Sequence, residues 1–282
     1  MEGSSLSKLQ QITESDFLLK LSCVPELGSS SILRIVEKNV LNNISPEEFF
    51  SLSEEALKNE YDIKPSAVQH LKQNFAQIES TADEIKKKFE NKPVYIISTN
   101  HPLYPTRLHE FCNPLPGILF LYGNLEVLKS KTFCFLSSRN ASEDVLRKIE
   151  VVVEESVLEP MTLVTGVNTV AYQKGAVVPL RWGAPRILVL DRGFFETFGD
   201  DLLNEPFPQA RLWRYKFDPL TDLAVSRFRP NDGFMNGNAA LRDEMVVGLS
   251  DVVKAIHVNP GGNMAKLMHR ANQCNREVIK LF

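Results

Sequence analysis

The chain has 282 residues, 43% of them hydrophobic, with a formal charge of −3 and a pI near 6. A chain of this length fills one large core, or one large and one small, and no stretch approaches the ~20 apolar residues of a membrane span. The charge balance excludes a global basic field, so any affinity for a polyanion must come from a local patch.

The opening "MEGSSLSKLQQITESDF" lacks a charged start followed by an apolar run, which points to a soluble, cytoplasmic protein with no membrane association. Cys23, Cys112, Cys134 and Cys274 are scattered, without a C-x-x-C pair. They read as reduced thiols, and neither a metal nor another cofactor is implied. The histidines at 70, 101, 109, 257 and 269 have no sequence partner that suggests a triad or a metal site, and are expected to be structural.

The first ninety residues read as a small all-helical domain. Apolar residues recur at helical spacing in "DFLLKLSCV", "SSILRIVEK", "SPEEFFSLSEEALKNEY" and "SAVQHLKQNFAQIESTADEIKKKFE", about four helices in all. Ser45-Pro46-Glu47-Glu48 supplies an N-cap, a proline at the first helical position and acids in the first turn. Lys86-Lys87-Lys88 suits a solvated helix C-terminus, and Asn91-Lys92-Pro93 marks a boundary between domains of residues 1–90 and 91–282.

Beyond it, short β-rich runs "VYIIS", "TFCFLS", "MTLVT", "RILVLD", "KAIHV" and "EVIKLF" alternate with helical segments 142–156, 167–179, 239–249 and 262–274. This alternation predicts an α/β fold, a doubly wound and mostly parallel Rossmann-like sheet. Residues 191–238, rich in Gly, Pro, Phe and Asp, are expected to hold a long loop near the carboxyl ends of the strands. Trp182 and Trp213 are expected in the core.

Within "TFCFLSSRNAS" a strand opens into a helix through Ser137, Ser138, Arg139 and Asn140. A nucleotide-binding α/β protein holds a phosphate at such a turn, usually on glycines. Here a hydroxyl and a guanidinium offer the same service through side chains. Arg242 is read as opening a helix, where a cation needs an anion to hold. Gly261 and Gly262 place N–H groups at the start of another helix. Lys174 and Lys266 either line the same crevice or face water.

Five motifs then occur in order between Asn100 and Asp251: "NHPLYPTRLHEFCNPLPGILFLYGN", "FCFLSSRNAS", "GVNTVAYQKGA", "GAPRILVLDRGF" and "LRDEMVVGLSD". Together they resemble the DprA/Smf family of DNA-processing proteins, residues 91–131 matching the strap before its Rossmann-like domain. "LKLSCVPELGSSSILRIVEK" is similar to that family's helix-hairpin-helix (SAM-like) start, with Pro25 and Gly28 in the hairpin and Leu21, Val24, Leu27 and Ile32 as its core. Glu26 stands where a second glycine is usual, so the hairpin reads as scaffold or protein contact.

The chain departs from the family where chemistry would lie. Ser137 replaces the glycine of G-S-R, Asn168 an aspartate, Tyr172 a histidine, and Asp243-Glu244 an asparagine and an arginine. The resemblance implies a non-enzymatic protein that binds single-stranded DNA, forms a homodimer and helps load a RecA-type recombinase during DNA uptake (transformation) or recombination. Its phosphate contacts would come from Ser138, Arg139, Gly166, Lys174, Arg242, Gly261, Gly262 and Lys266. The chain ends at Phe282 after the last predicted strand, and the winged-helix-like module of some relatives is expected to be absent.

A second reading is a nucleotide-ligand sensor of the same superfamily, in defence or signalling, motivated by Asp243 and Glu244 and the near-neutral charge. A third is a lysine-decarboxylase-like (LOG) phosphoribohydrolase, which Arg242, Met245, Ser250-Asp251 and Pro260-Gly261-Gly262 resemble. That activity needs a following G-T-x-x-E, and the chain reads Asn263-Met264-Ala265-Lys266-Leu267.

Overall fold

The computed structural model describes residues 14–282. The reading of the N-terminus rests mainly on residues 1–13, which lie outside the described residues, as does the start of the helical domain. By its contacts the chain divides into two compact units, Met1–Tyr104 with Pro114–Phe120, and Pro105–Asn113 with Leu121–Phe282.

The first unit holds the helices α1 (residues 14–23), α2 (Ser29–Asn42), α3 (Pro46–Ser51), α4 (Glu54–Asn59), α5 (Pro65–Gln73) and α6 (Phe75–Phe89). Leu21, Val24, Leu27 and Ile32 are buried in the α1–α2 hairpin. Glu26 takes the left-handed conformation (φ 61°) and accepts a hydrogen bond from the Ser66 hydroxyl at 2.5 Å. Two of the expected helices are each broken in two. Ser53 starts α4 by accepting from the Ala56 N–H at 3.1 Å, and Asn74 separates α5 from α6. Ser45 forms the capping box with Glu48, each side chain bonded to the other's backbone. Phe17, Phe49, Phe50, Tyr61 and Phe75 pack ring against ring in this core. Strand β1 (Val94–Ser98) neighbours β2 (Ile118–Gly123), and the Tyr104 hydroxyl donates to the Pro116 carbonyl at 2.7 Å.

In the second unit the end of β2 leads a sheet with β3 (Thr132–Ser137), β4 (Thr162–Gly166), β5 (Arg186–Val189), β6 (Leu223–Ser226), β7 (Val252–His257) and β8 (Glu277–Lys280). The order is β2-β6-β5-β4-β3-β7-β8, and every pair from β6 to β8 is parallel. This is the doubly wound Rossmann-like sheet that the alternation predicts. The chain steps outward from β3 through β6, then returns to place β7 on the other side of β3. The switch point therefore lies between β3 and β7.

Helices α8 (Glu143–Leu158), α9 (Val170–Ala176) and α10 (Val178–Arg181) pack on one another, and α8 and α9 on the sheet. A second group holds α7 (Arg107–Phe111), α13 (Asn238–Gly248) and α14 (Asn263–Gln273). Helix α8 buries Leu146, Ile149, Val152, Val153 and Val157 against Phe133, Phe135 and Leu163. Each such side chain contributes about 1.5–3 kcal/mol by leaving water. Among the described residues no helix is long and apolar enough to cross a membrane.

Residues 191–238 hold α11 (Phe194–Phe198), α12 (Pro208–Leu212) and the fully buried β6, and an irregular stretch, 227–237, follows the carboxyl end of β6. One expectation is corrected. Trp182 and Trp213 are not core residues, being 52% and 46% exposed. Each is the C-cap residue of a short helix, α10 and α12, one step past the part that packs.

Candidate functional site

A cleft of about 540 Å³ opens at the carboxyl ends of β3, β4 and β5. Residues 137–141 form one wall, 168–172 another, and Asp191, Arg242 and Asp243 the floor. Ser138 closes the switch point. Its N–H donates to the His257 carbonyl at 2.6 Å, and its hydroxyl accepts from the Asn259 N–H at 2.9 Å. Ser138 thus ties the end of β3 to the turn after β7.

Arg139 is exposed at the mouth. Among the described residues its guanidinium makes no ion pair or hydrogen bond, with Glu143 or any other group. Its charge reaches Asp243, whose carboxylate it favours.

The floor is a closed electrostatic network. Arg242 is 2% exposed, and its Nη1 donates to Asp191 Oδ2 at 3.0 Å and to the Val167 carbonyl at 2.5 Å. Its Nε donates to Asp243 Oδ1 at 3.0 Å, and the guanidinium lies 5.0 Å from the centre of the Tyr172 ring. The Tyr172 hydroxyl donates to Asp243 Oδ1 at 2.8 Å. Asn168, left-handed at φ 68°, donates to both oxygens of Asp191 at 2.8 and 2.9 Å. Arg192 Nε reaches Asp191 at 3.1 Å from outside.

Burial raises the Asp243 carboxyl above its usual 3.8, against the pull of Arg242 and the Tyr172 hydrogen bond. Burial, with Asp243 adding, holds the Tyr172 phenol well above 10. For Arg242 burial opposes the charge, and Tyr172, Asp243 and Asp191 outweigh it, leaving the group raised.

Of the eight candidate residues the cleft gathers Ser138, Arg139 and Arg242. Arg242 does not open its helix. It lies in the second turn of α13, and its anions are two aspartates of the chain itself. Gly166 stands behind the floor, where an added Cβ would come within 2.6 Å of Arg242 Cδ and 2.7 Å of Tyr172 Cε2. Its missing side chain leaves room for those two groups. Lys174 is outside the lining and pairs with Glu150 at 3.5 Å.

Gly261, Gly262 and Lys266 also stand outside the lining, although Met264 of the same turn and helix enters it. The Gly262 N–H bonds the Asn259 carbonyl at 3.2 Å and so closes its own turn. Glu244 accepts from the Asn113 N–H at 3.3 Å and pairs with Arg270 at 3.5 Å; Asp251 pairs with Arg107 at 2.8 Å. Neither lines the cleft. Sequence reasoning missed Asp191. Its signal was an acid closing "RILVLD" at the carboxyl edge of a parallel strand. Among the described residues no cluster of His, Cys, Asp and Glu is arranged to hold a metal ion.

The model of the family described as DNA recombination-mediator protein A matches residues 95–281. The chain belongs to that family. Its fold agrees with that of the DNA processing protein A (DprA) of Streptococcus pneumoniae, at a TM-score of 0.69 and 21% identity, over 94% of this chain and 84% of that one. It is also similar to DNA processing protein A of Helicobacter pylori, a structure described for its single-stranded DNA binding mode, at a TM-score of 0.51 and 12% identity, over 67% of this chain and 81% of that one. No curated protein matches the sequence. In this chain the arginine at the bottom of the cleft is already answered by carboxylates of the chain itself.

Proposed function

We propose that this DprA-family protein binds single-stranded DNA without sequence preference and, as a homodimer, helps load a RecA-type recombinase, with no catalytic step of its own. The observation that carries the reading is Arg139, an exposed cation that among the described residues has no ion-pair or hydrogen-bond partner, at the mouth of a cleft on the carboxyl edge of a parallel sheet. Such a group takes a phosphate of the strand, and the cleft beside it has the size for a nucleotide unit. The binding mode described for the Helicobacter pylori relative supports the same reading.

A second reading has its own support. The Asp191 and Asp243 carboxylates answer the one positive charge on Arg242 at the floor, and this suits hydrogen bonding to a sugar or base of one nucleotide more than a run of phosphates. The test is a titration of an oligothymidylate at about 50 and 200 mM salt, with Arg139→Ala in parallel and a thermal-shift series of free nucleotides. Salt-sensitive binding that weakens in Arg139→Ala is the expected result. Stabilisation by a mononucleotide with no oligonucleotide binding overturns the first reading in favour of the second.

A further inference from the structure

At the other end of the strands the chain carries a surface of different composition. Residues 211–216 read Arg-Leu-Trp-Arg-Tyr-Lys, and all six are exposed. Arg181 and Trp182, at the end of α10, join them: the Arg181 guanidinium lies 5.9 Å from the centre of the Trp213 ring, and the Tyr215 hydroxyl reaches the Leu180 carbonyl at 3.5 Å. The Trp213 and Tyr215 rings meet edge to face at 6.5 Å. Trp182 is held by its Nε1, which donates to Glu154 at 3.1 Å.

Three large rings and a leucine that is 82% exposed are therefore displayed together with the cations of residues 181, 211, 214 and 216. Arg181 pairs with Glu150 at 3.7 Å, whereas among the described residues the side chains of Arg211, Arg214 and Lys216 make no ion pair. Leaving both tryptophans half in water is costly for a lone fold, and the free cations exclude an apolar or basic occupant. A polyanion with flat faces answers both features at once, since bases stack on exposed rings while cations follow the backbone.

We propose that this patch, beside the amino ends of β5 and β6, is a binding surface for single-stranded nucleic acid, distinct from the Arg139 cleft. The proposal rests on the reading that this chain binds single-stranded DNA, and it adds where the strand runs.

The two tryptophans of the chain are Trp182 and Trp213, both in the patch and neither in the cleft. Their fluorescence therefore reports this surface alone. Titration with an oligothymidylate should quench the emission. Trp213→Ala should weaken binding about 5- to 150-fold, the range found when one stacking ring is removed. Arg211→Ala with Lys216→Ala should reduce the slope of log affinity against log salt by about 1.4, from two lost phosphate contacts. All these positions are exposed, and an unchanged melting temperature checks that the variants fold.

No binding by the unaltered chain overturns this inference together with the function it rests on. Binding that weakens in Arg139→Ala, with emission and patch variants unaffected, overturns this inference alone. If the patch serves a second copy of the chain instead, sedimentation depends on concentration and Trp213→Ala removes that dependence without changing oligonucleotide affinity. That result also overturns it.

Discussion

Arg242 keeps its charge in the interior because Asp191 and Asp243 stand on either side of its guanidinium and the Tyr172 ring lies against it. Removing one member of such a group leaves an uncompensated buried charge, so these residues act as a unit. Asp243 is the member whose ionisation burial opposes, and its carboxyl is raised above 3.8 in the folded chain. The folded state then binds that proton more tightly than the unfolded state does, and stability from this group is complete below the unfolded value. It is lost as pH rises through the raised folded value. Asp243→Asn cannot ionise and still accepts from the Tyr172 hydroxyl, so melting temperatures across the acid range should fall less steeply with rising pH in the variant than in the parent. A steeper fall in the variant would contradict this assignment. The sequence marked Arg242 as a site residue but not Asp191 as its anion, because Asp191 is 51 positions away and only the fold brings the two together.

At the scale of elements, the long periodic helices and the apolar strands were legible, since α8 and β3 carry their pattern over many residues. Strand β6 was not. "LAVS" is four residues long and sits in a stretch rich in turn formers, so nothing local separates it from a loop. What makes it a strand is tertiary: Asp222, just before it, accepts from the Arg186 N–H at 2.9 Å and from its Nε at 3.0 Å, while Glu205 accepts from Nη1 and Nη2 at 3.2 and 3.1 Å. All three side chains are buried. This group fastens the amino end of β5 to the start of β6 and to the segment that leads into α12. Arg186→Met should therefore destabilise the protein by about 3–5 kcal/mol, because two carboxylates are left buried without their partner. Arg186→Lys should recover only part of that, for one ammonium cannot reproduce a planar fork bonded to two acids. Urea denaturation of the three proteins measures both effects, and a lysine variant as stable as the parent would show that the fork is not what holds the strands.

At the scale of the molecule, a net charge of −3 gives no long-range pull on a polyanion, so binding must be organised locally. The two proposed local sources stand at opposite ends of the parallel strands. Arg139 and the cleft lie at the carboxyl end, and the exposed rings lie beside Arg186 at the amino end, with roughly 16 Å of β5 from Arg186 to Asp191. A ligand of one nucleotide fits within one end, whereas a strand is long enough to touch both. This separation predicts two independent signals. A nucleoside monophosphate at about 100 times its Kd should stabilise the fold by about 2.7 kcal/mol, read as a rise in melting temperature, with tryptophan emission unchanged. An oligothymidylate should quench that emission. Arg139→Ala should abolish the first signal and leave quenching in place at saturating oligonucleotide, because the patch retains its rings and cations. Quenching by the mononucleotide, or loss of both signals in Arg139→Ala, would mean that the two ends are coupled through the sheet, with the Arg186 group and the Arg242 network at either end of β5 as the elements that transmit the change.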